Sequence, residues 1–435
     1  MRAKPMLAAI MGVGALMIAP TVASAQGYAS VWRPGSGAQW WRSGMTEAEF
    51  KTQDLTHFNN GLRVRSLAIH NGRFAAVWQP GTGTQWIHWG LTGDQFKAQD
   101  LTYFRQGLRI QSLEVTNGRL AAVWRPGTGA QWVHWGMTEA EFKTQDLAYF
   151  KQGLRLQAFE LDGGRFAGVW RPGTGTQWVH WGLTGAQIEA QDRTYVNQGL
   201  RLTQFATDGG RYAGVWRPGS GTQWWAYRRC FVDFRTDDAL HFSNGLRMSF
   251  IELMDEAGSP FRYPWKSGDS RGVGQGNNNA AGSHNGSQSF AFDFSLPAGT
   301  QIRAARAGTV EWLQENQSTT FNPNQPVSAS NQPFPAGSLQ NWGNAVRLRH
   351  PGGLTSWYFH IQQNGVLVNV GDQVERGQPI AISGGTGRSS GPHLHFQVQA
   401  NSTNWGQSVA ISFQDCQVPT GGDTVTSTNA NSNFP

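Results

Sequence analysis

The apolar positions of this chain repeat. Val-Trp pairs fall at Val31-Trp32, Val77-Trp78, Val123-Trp124, Val169-Trp170 and Val215-Trp216, a period of 46 residues. Each pair opens a Val-Trp-x-Pro-Gly-[Ser/Thr]-Gly-x-Gln-Trp motif, whose Pro-Gly-x-Gly core is turn chemistry, so the flanking apolar residues read as a hairpin. A helix follows. Thr46…Glu49 and Thr138…Glu141 spell capping boxes, with Thr92…Gln95 and Thr184…Gln187 as the glutamine version. Gly61, Gly107, Gly153 and Gly199 suit left-handed helix ends. A strand from Leu62-Arg63-Val64 then runs to a turn such as Asn71-Gly72, so each unit is β-β-α-β. The fifth unit keeps Trp216, Trp224 and Gly245-Leu246-Arg247 but rewrites its helix start as Arg228-Arg229-Cys230-Phe231, as a terminal repeat facing a different neighbour would. Stacking in a solenoid or closing into a ring would both bury the apolar faces.

The period stops at Ala257-Gly258-Ser259-Pro260, and a second domain is expected over residues 256–417. Its pattern is of short alternating strands and turns, a compact antiparallel sheet. Gly268 to Gly286 is rich in Gly, Asn and Ser and reads as a loop delivering His284. In Ser289-Phe290-Ala291-Phe292-Asp293-Phe294 the phenylalanines share one face and Asp293 points to the other, where an unpaired carboxylate wants a cation. Residues 314–340 read as an exposed loop insertion, and 418–435 as a disordered tail. The fold expected is mainly β with some α: repeats over 26–255, then the sheet domain.

Composition adds the compartment. Arg2 and Lys4, the apolar run Met6 to Ala19, and Ala23-Ser24-Ala25 form a secretory signal peptide over 1–25. Export, periplasmic or extracellular, without a membrane anchor is the expectation. In that setting Cys230 and Cys416 are expected to form a disulfide, two separate thiols being the alternative. The net charge of +7 favours an anionic polymer or surface, but no Lys/Arg cluster reads as a nucleic-acid patch.

Chemistry gathers near the end of the chain. In Gly391-Pro392-His393-Leu394-His395-Phe396, strand alternation puts both imidazoles on one face and Leu394 and Phe396 on the other, an arrangement suited to a divalent metal. Together with His284…Asp293, Tyr358-Phe359-His360 and Gly371-Asp372…Gly377-Gln378, this motif resembles the lysostaphin-type zinc endopeptidases, which cut peptide bonds in the bacterial cell wall. The resemblance covers residues 262–400. Many members place the first histidine four residues before the aspartate, whereas here the gap is nine. It implies one Zn2+ held by His284, Asp293 and His395, with His360 and His393 as catalytic histidines. No His-Glu-x-x-His helix supplies a glutamate base, so a histidine takes that role. Tyr358, sharing a face with His360 by alternation, and Asn344 are candidates for substrate or supporting contacts; His350 reads as structural.

The repeats resemble those in the non-catalytic half of polyglycine hydrolases, which implies an accessory module that targets or regulates. His88, His134 and His180, each in Trp-[Ile/Val]-His-Trp, read as packing residues with a local hydrogen bond; His57 and His241 stand where other units have Tyr103, Tyr149 and Tyr195. The repeat arginines, Arg63 to Arg247, read as hydrogen bonders between units. Peptidoglycan is the expected substrate and partner. A protease for Gly-rich proteins and a non-catalytic wall-binding activator are the alternatives.

Overall fold

The computed structural model describes residues 26–254, 258–279, 282–321, 339–400, 406–414 and 416–430. The expected signal peptide at 1–25 and residues 322–338 of the expected insertion lie outside the described residues. Among the described residues, no helix is long and apolar enough to cross a membrane.

The repeats form five three-stranded antiparallel sheets. In one of them the middle strand Arg73–Pro80 lies between the outer strand Trp40–Met45 and the inner strand Leu62–His70. The true hairpin joins inner to middle strand: Asn71 (φ 48) and Gly72 (φ 71) supply the two left-handed residues of a type I′ turn between the paired His70 and Arg73. The expected hairpin across Pro-Gly-x-Gly is not formed, because the strands on either side of that loop belong to different sheets. The loop instead spends its hydrogen bonds on the sheet it leaves. Gly81 N–H donates to Gly61 O (3.0 Å), and Arg63 Nε donates to Gly83 O (2.8 Å).

The fifth sheet decides between solenoid and ring. Its outer strand Trp224–Arg229 and inner strand Leu246–Met254 enclose Gly27–Pro34, the first strand of the described chain. The five inner strands touch in a cycle, Leu62–His70 meeting both Leu108–Thr116 and Leu246–Met254. The ring is therefore closed by packing between sheets, though no single sheet closes on itself.

One polar network recurs in every sheet. Trp78 Nε1 donates to Asp54 Oδ1 (2.9 Å) and Gln85 Nε2 donates to the same oxygen (3.1 Å). Asp100, Asp146 and Asp192 hold Trp124, Trp170 and Trp216 alike, and Asp238 holds Trp32 across the ring closure. All five of these tryptophans are fully buried. A buried indole N–H needs such an acceptor, so the helix aspartate fixes how each helix sits on its sheet. The capping boxes form at Thr46, Thr92, Thr138 and Thr184.

The fifth helix, Phe231–Ser243, begins at Cys230 without a side-chain cap. It buries Asp233, Thr236 and Leu240 instead of exposing that face, and Leu240 enters the core of the C-terminal domain. Asp233 accepts from the Ser412 hydroxyl (2.5 Å) and backbone N–H (3.0 Å), and Cys230 is disulfide-bonded to Cys416. The sequence departs from its period where the helix meets the second domain.

That domain is built on an antiparallel sheet whose central order is Asn344–Arg349, Thr355–Val366, Leu394–Gln399, Phe292–Phe294, Ser270–Gln275, Thr424–Thr426. Three expectations are corrected. Ser270–Gln275 is a strand inside the stretch read as loop, and residues 418–430 are not a disordered tail. Thr424–Thr426 pairs with Ser270–Gly272, while Ser427 and Asn429 are buried and hydrogen-bonded to Tyr263 O. Backbone pairing and small polar side chains, rather than apolar bulk, place this segment. The insertion is also not exposed throughout: Gln317 and Phe321 are buried, and Thr320–Phe321 pairs with Gly387–Arg388.

Candidate active site

Strand register gathers the site. Asp293 pairs with His395, and His395 with Phe359, so these three share one face of the sheet. Phe292, Phe396 and Tyr358 pair on the opposite face, in the apolar core. Simple alternation would send His360 to that core beside Tyr358. A bulge prevents it. Ala345 pairs with Phe359 and Asn344 with Ile361, leaving His360 as the extra residue at φ 62. A non-glycine residue in that region costs about 1–3 kcal/mol, sustained only where the surroundings over-determine it. Here they do. Gly384 N–H donates to His360 O (2.9 Å) and Asn344 Nδ2 to Ile361 O (3.3 Å). The His360 ring ends 4.4 Å from that of His393 and 6.2 Å from that of His395.

Three donors converge. His395 Nδ1 lies 2.9 Å and His284 Nε2 3.2 Å from Asp293 Oδ1, and His393 Nε2 is 3.7 Å from the same oxygen. One ligand atom each from His284, Asp293 and His395 fit within 4.8 Å of one another, all buried. The far side of each group is tied down. His284 Nδ1 is 2.9 Å from Gly276 O, a carbonyl that can only accept, so the proton is on Nδ1 and Nε2 keeps its lone pair. That Nε2 is buried without an aligned hydrogen bond. His395 Nε2 lies 3.3 Å from Gln397 Oε1, and Gln275 Nε2 donates to Asp293 Oδ2 (2.7 Å). Two imidazole nitrogens and a carboxylate oxygen, braced from behind and turned toward one another, are the donor set of a divalent metal site.

The charges follow. Burial works against ionising Asp293, but its close contacts with His284 and His395 outweigh it and hold the carboxyl well below the usual range. Burial also presses His284 downward, yet the Asp293 contact and its charge carry this imidazole above its ordinary value. For His360, burial and then the neighbouring His393 and His395 push the pKa down to about 3. Its Nδ1 faces Thr386 O at 2.8 Å, so Nδ1 carries the proton and Nε2 is a free acceptor. His393 Nδ1 similarly faces Gly391 O at 2.9 Å, and its side chain is 20% exposed, the most open of the four histidines.

The five expected residues His284, Asp293, His360, His393 and His395 thus meet at one place. Tyr358 does not join them: its hydroxyl accepts from Ala305 N–H (2.8 Å) in the core, because the bulge parts it from His360. Asn344 stands behind the site, fully buried, with Oδ1 accepting from Gln317 N–H and its own N–H donating to Thr386 Oγ1. His350 packs elsewhere, between Ala307 O and Ser356 Oγ. Sequence reasoning missed Gln275, hidden in a supposed loop, and Gln397. The latter lies two residues past His395 on the same strand, so alternation could have found it. Trp342, whose ring is 6.2 Å from that of His395, was also missed.

Comparison with known proteins agrees with this geometry. The description "Peptidase family M23" matches residues 287–406, and "Polyglycine hydrolase-like, structural repeat" matches 36–81, 83–126, 128–172 and 175–218. The chain carries an M23 peptidase domain behind polyglycine hydrolase-like repeats. His284 falls just before the matched M23 segment, and the fifth sheet lies outside the matched repeats. The chain is 37% identical over 109 residues to the peptidoglycan DD-endopeptidase ShyC of Vibrio cholerae, covering 25% of this chain and 19% of that protein. It is 33% identical over 119 residues to the glycyl-glycine endopeptidase ALE-1 of Staphylococcus capitis, covering 27% and 26%. The catalytic domain of lysostaphin from Staphylococcus simulans aligns at 26% identity over 32% of this chain and 86% of that one, with a TM-score of 0.23. The chain spans about a fifth of the length of the first two peptidoglycan endopeptidases it matches.

Proposed function

We propose that the protein is an exported zinc metalloendopeptidase that hydrolyses peptide bonds in bacterial peptidoglycan. The observation that carries this reading is the convergence of His284, Asp293 and His395, each braced from behind, beside two further histidines. The M23 relatives named for peptidoglycan and glycyl-glycine cleavage support the substrate class. His284 Nε2, Asp293 Oδ1 and His395 Nδ1 would hold the zinc. Bound there, zinc supplies Lewis acidity, acidifying water and polarising a carbonyl oxygen.

The chain's own residues do the rest. His360, neutral and with Nε2 open, accepts the proton of the attacking water. Thr386 O and the bulge fix its tautomer and direction, and Asn344 holds both in place. His393, more exposed and with Nδ1 on Gly391 O, presents Nε2 to the reacting centre and in its imidazolium form donates from it to the oxyanion that develops on the scissile carbonyl. Trp342 and Phe359, whose rings lie 6.5 Å apart, wall one side against water.

The repeat ring is then a targeting or regulatory module. Each sheet's outer strand begins with an exposed tryptophan: Trp40, Trp86, Trp132, Trp178 and Trp224 are 37–57% exposed. Regularly spaced exposed indoles suit stacking on a polymer, here the wall. Digesting purified peptidoglycan and a Gly-rich protein in parallel, with mass spectrometry of the products, tests the substrate. Cleavage of stem or cross-bridge peptides is expected; cleavage of the Gly-rich protein alone would replace this reading with a secreted protease.

A further inference from the structure

The ring has an axis, and three carboxylates stand on it. Along the inner strands, one position reads Ala68, Glu114, Glu160, Ala206, Glu252 around the five sheets. Three strands that meet at the axis thus place glutamates at one level, and two leave only methyl groups. One carboxylate oxygen from each glutamate fits within 4.8 Å of the other two. The residues are 6%, 9% and 8% exposed.

Among the described residues, none of the three forms an ion pair with a lysine, arginine or histidine. The Glu114 carboxyl accepts from Thr116 Oγ1 (3.3 Å, at Oε1) and from the Ile69 backbone N–H, but its Oε2 is buried without an aligned hydrogen bond. An unpartnered buried carboxylate oxygen beside two more carboxylates is costly unless a cation joins them. Burial and then repulsion from neighbouring carboxylates hold Glu114 and Glu160 well above the usual carboxyl range, and burial takes Glu252 up to about 8. All three line one cavity of about 210 Å3; Glu160 and Glu252 also border a second, arginine-lined cavity containing Arg33, Arg65, Arg171 and Arg217. The glutamates therefore stand between two cavities, and solvent ligands can reach them from either.

We propose that the axis of the repeat ring is a binding site for one hard divalent cation, of the calcium type, held by Glu114, Glu160 and Glu252. The donor set is oxygen only, without the imidazole or thiolate that favours zinc. Three carboxylates and surrounding water can reach the six to eight oxygens that calcium takes, whereas magnesium keeps most of its water and needs fewer carboxylates. The cation cross-links three of the five sheets at their crowded centre, so its effect is on the ring's stability and not on the M23 chemistry. This inference is independent of the zinc reading of the C-terminal site.

The test is equilibrium dialysis of the full-length protein, saturated with zinc, against radioactive calcium. One calcium per chain is expected, with thermal unfolding of the ring moved upward by added calcium. In the E160Q/E252Q variant, calcium affinity should fall at least ten-fold while zinc content stays unchanged, and the calcium-free variant should unfold no earlier than calcium-free wild type. Wild-type protein also gives a variant-free check. Terbium should show luminescence sensitised by Tyr212, which lines the same cavity, and calcium should quench it by displacement. No calcium bound at millimolar concentration, or binding undiminished in E160Q/E252Q, overturns the proposal. So does terbium emission that calcium fails to displace.

Discussion

Two sets of histidines in this chain, one in the ring and one in the M23 domain, face opposite ways chemically. His88, His134 and His180 each place Nε2 2.7 Å from a tyrosine hydroxyl, Tyr103, Tyr149 or Tyr195, and pack against a buried tryptophan. Their reactive atom is spent within the repeat. In the M23 domain the bond is made behind: His284, His360 and His393 use Nδ1 on backbone carbonyls, and His395 uses Nε2 on Gln397. The other nitrogen of each is turned toward the shared site, where His395 Nδ1 meets Asp293 Oδ1 at 2.9 Å. A histidine is informative when one nitrogen is anchored and the other faces such a site.

That contrast can be broken most sharply at its two extremes. His284→Ala should lose the metal and lower peptidoglycan cleavage by at least ~1,000-fold, while His134→Ala should leave the rate within about two-fold and cost about 1 kcal/mol of stability. Rates, metal content and thermal melts of the two variants read it directly; similar losses in both would erase the distinction. Next in size, His360→Ala should retain the metal yet lower kcat by roughly 10^2 to 10^4, the range for a lost general base. Loss of metal in that variant would instead make His360 a ligand.

Smaller effects test the bracing. Gln275→Ala removes the hydrogen bond behind Asp293, so metal affinity should weaken by roughly 10- to 100-fold, measured by competition with a chelating dye. Unchanged affinity would mean that the glutamine does not position the carboxylate. Finally, the Cys230→Ser/Cys416→Ser variant should lose about 2–4 kcal/mol by denaturant unfolding with near-normal kcat, since the bond ties the fifth helix to the end of the second domain and involves none of the five site residues. A collapse of kcat there would show that domain docking shapes the site.

The periodic part of the fold was legible because its determinants are local. Capping boxes, the Asn71-Gly72 turn and the glycine at each helix end all act within a few residues. The sheet partners were not legible: Pro-Gly-x-Gly reads as a hairpin turn whether its strands pair with each other or with strands farther along. Gly27–Pro34 finds its neighbours some 200 residues away, a pairing that no local pattern encodes. In the site, alternation placed Asp293 and His395 correctly on one face but misplaced Tyr358. The left-handed residue at His360 depends on Asn344, Gly384 and Thr386, all distant in sequence. The strand Ser270–Gln275 was hidden by glycine and serine, which weaken any apolar signal, and with it went Gln275.

The central claim is that His284, Asp293 and His395 hold one zinc that peptidoglycan cleavage requires. Metal-stripped protein should be titrated with zinc while soluble peptide release from purified peptidoglycan is followed. The account predicts no release before zinc, and a linear recovery that breaks at about one zinc per chain. Full release from the stripped protein, or zinc bound at one per chain with no release, would contradict it.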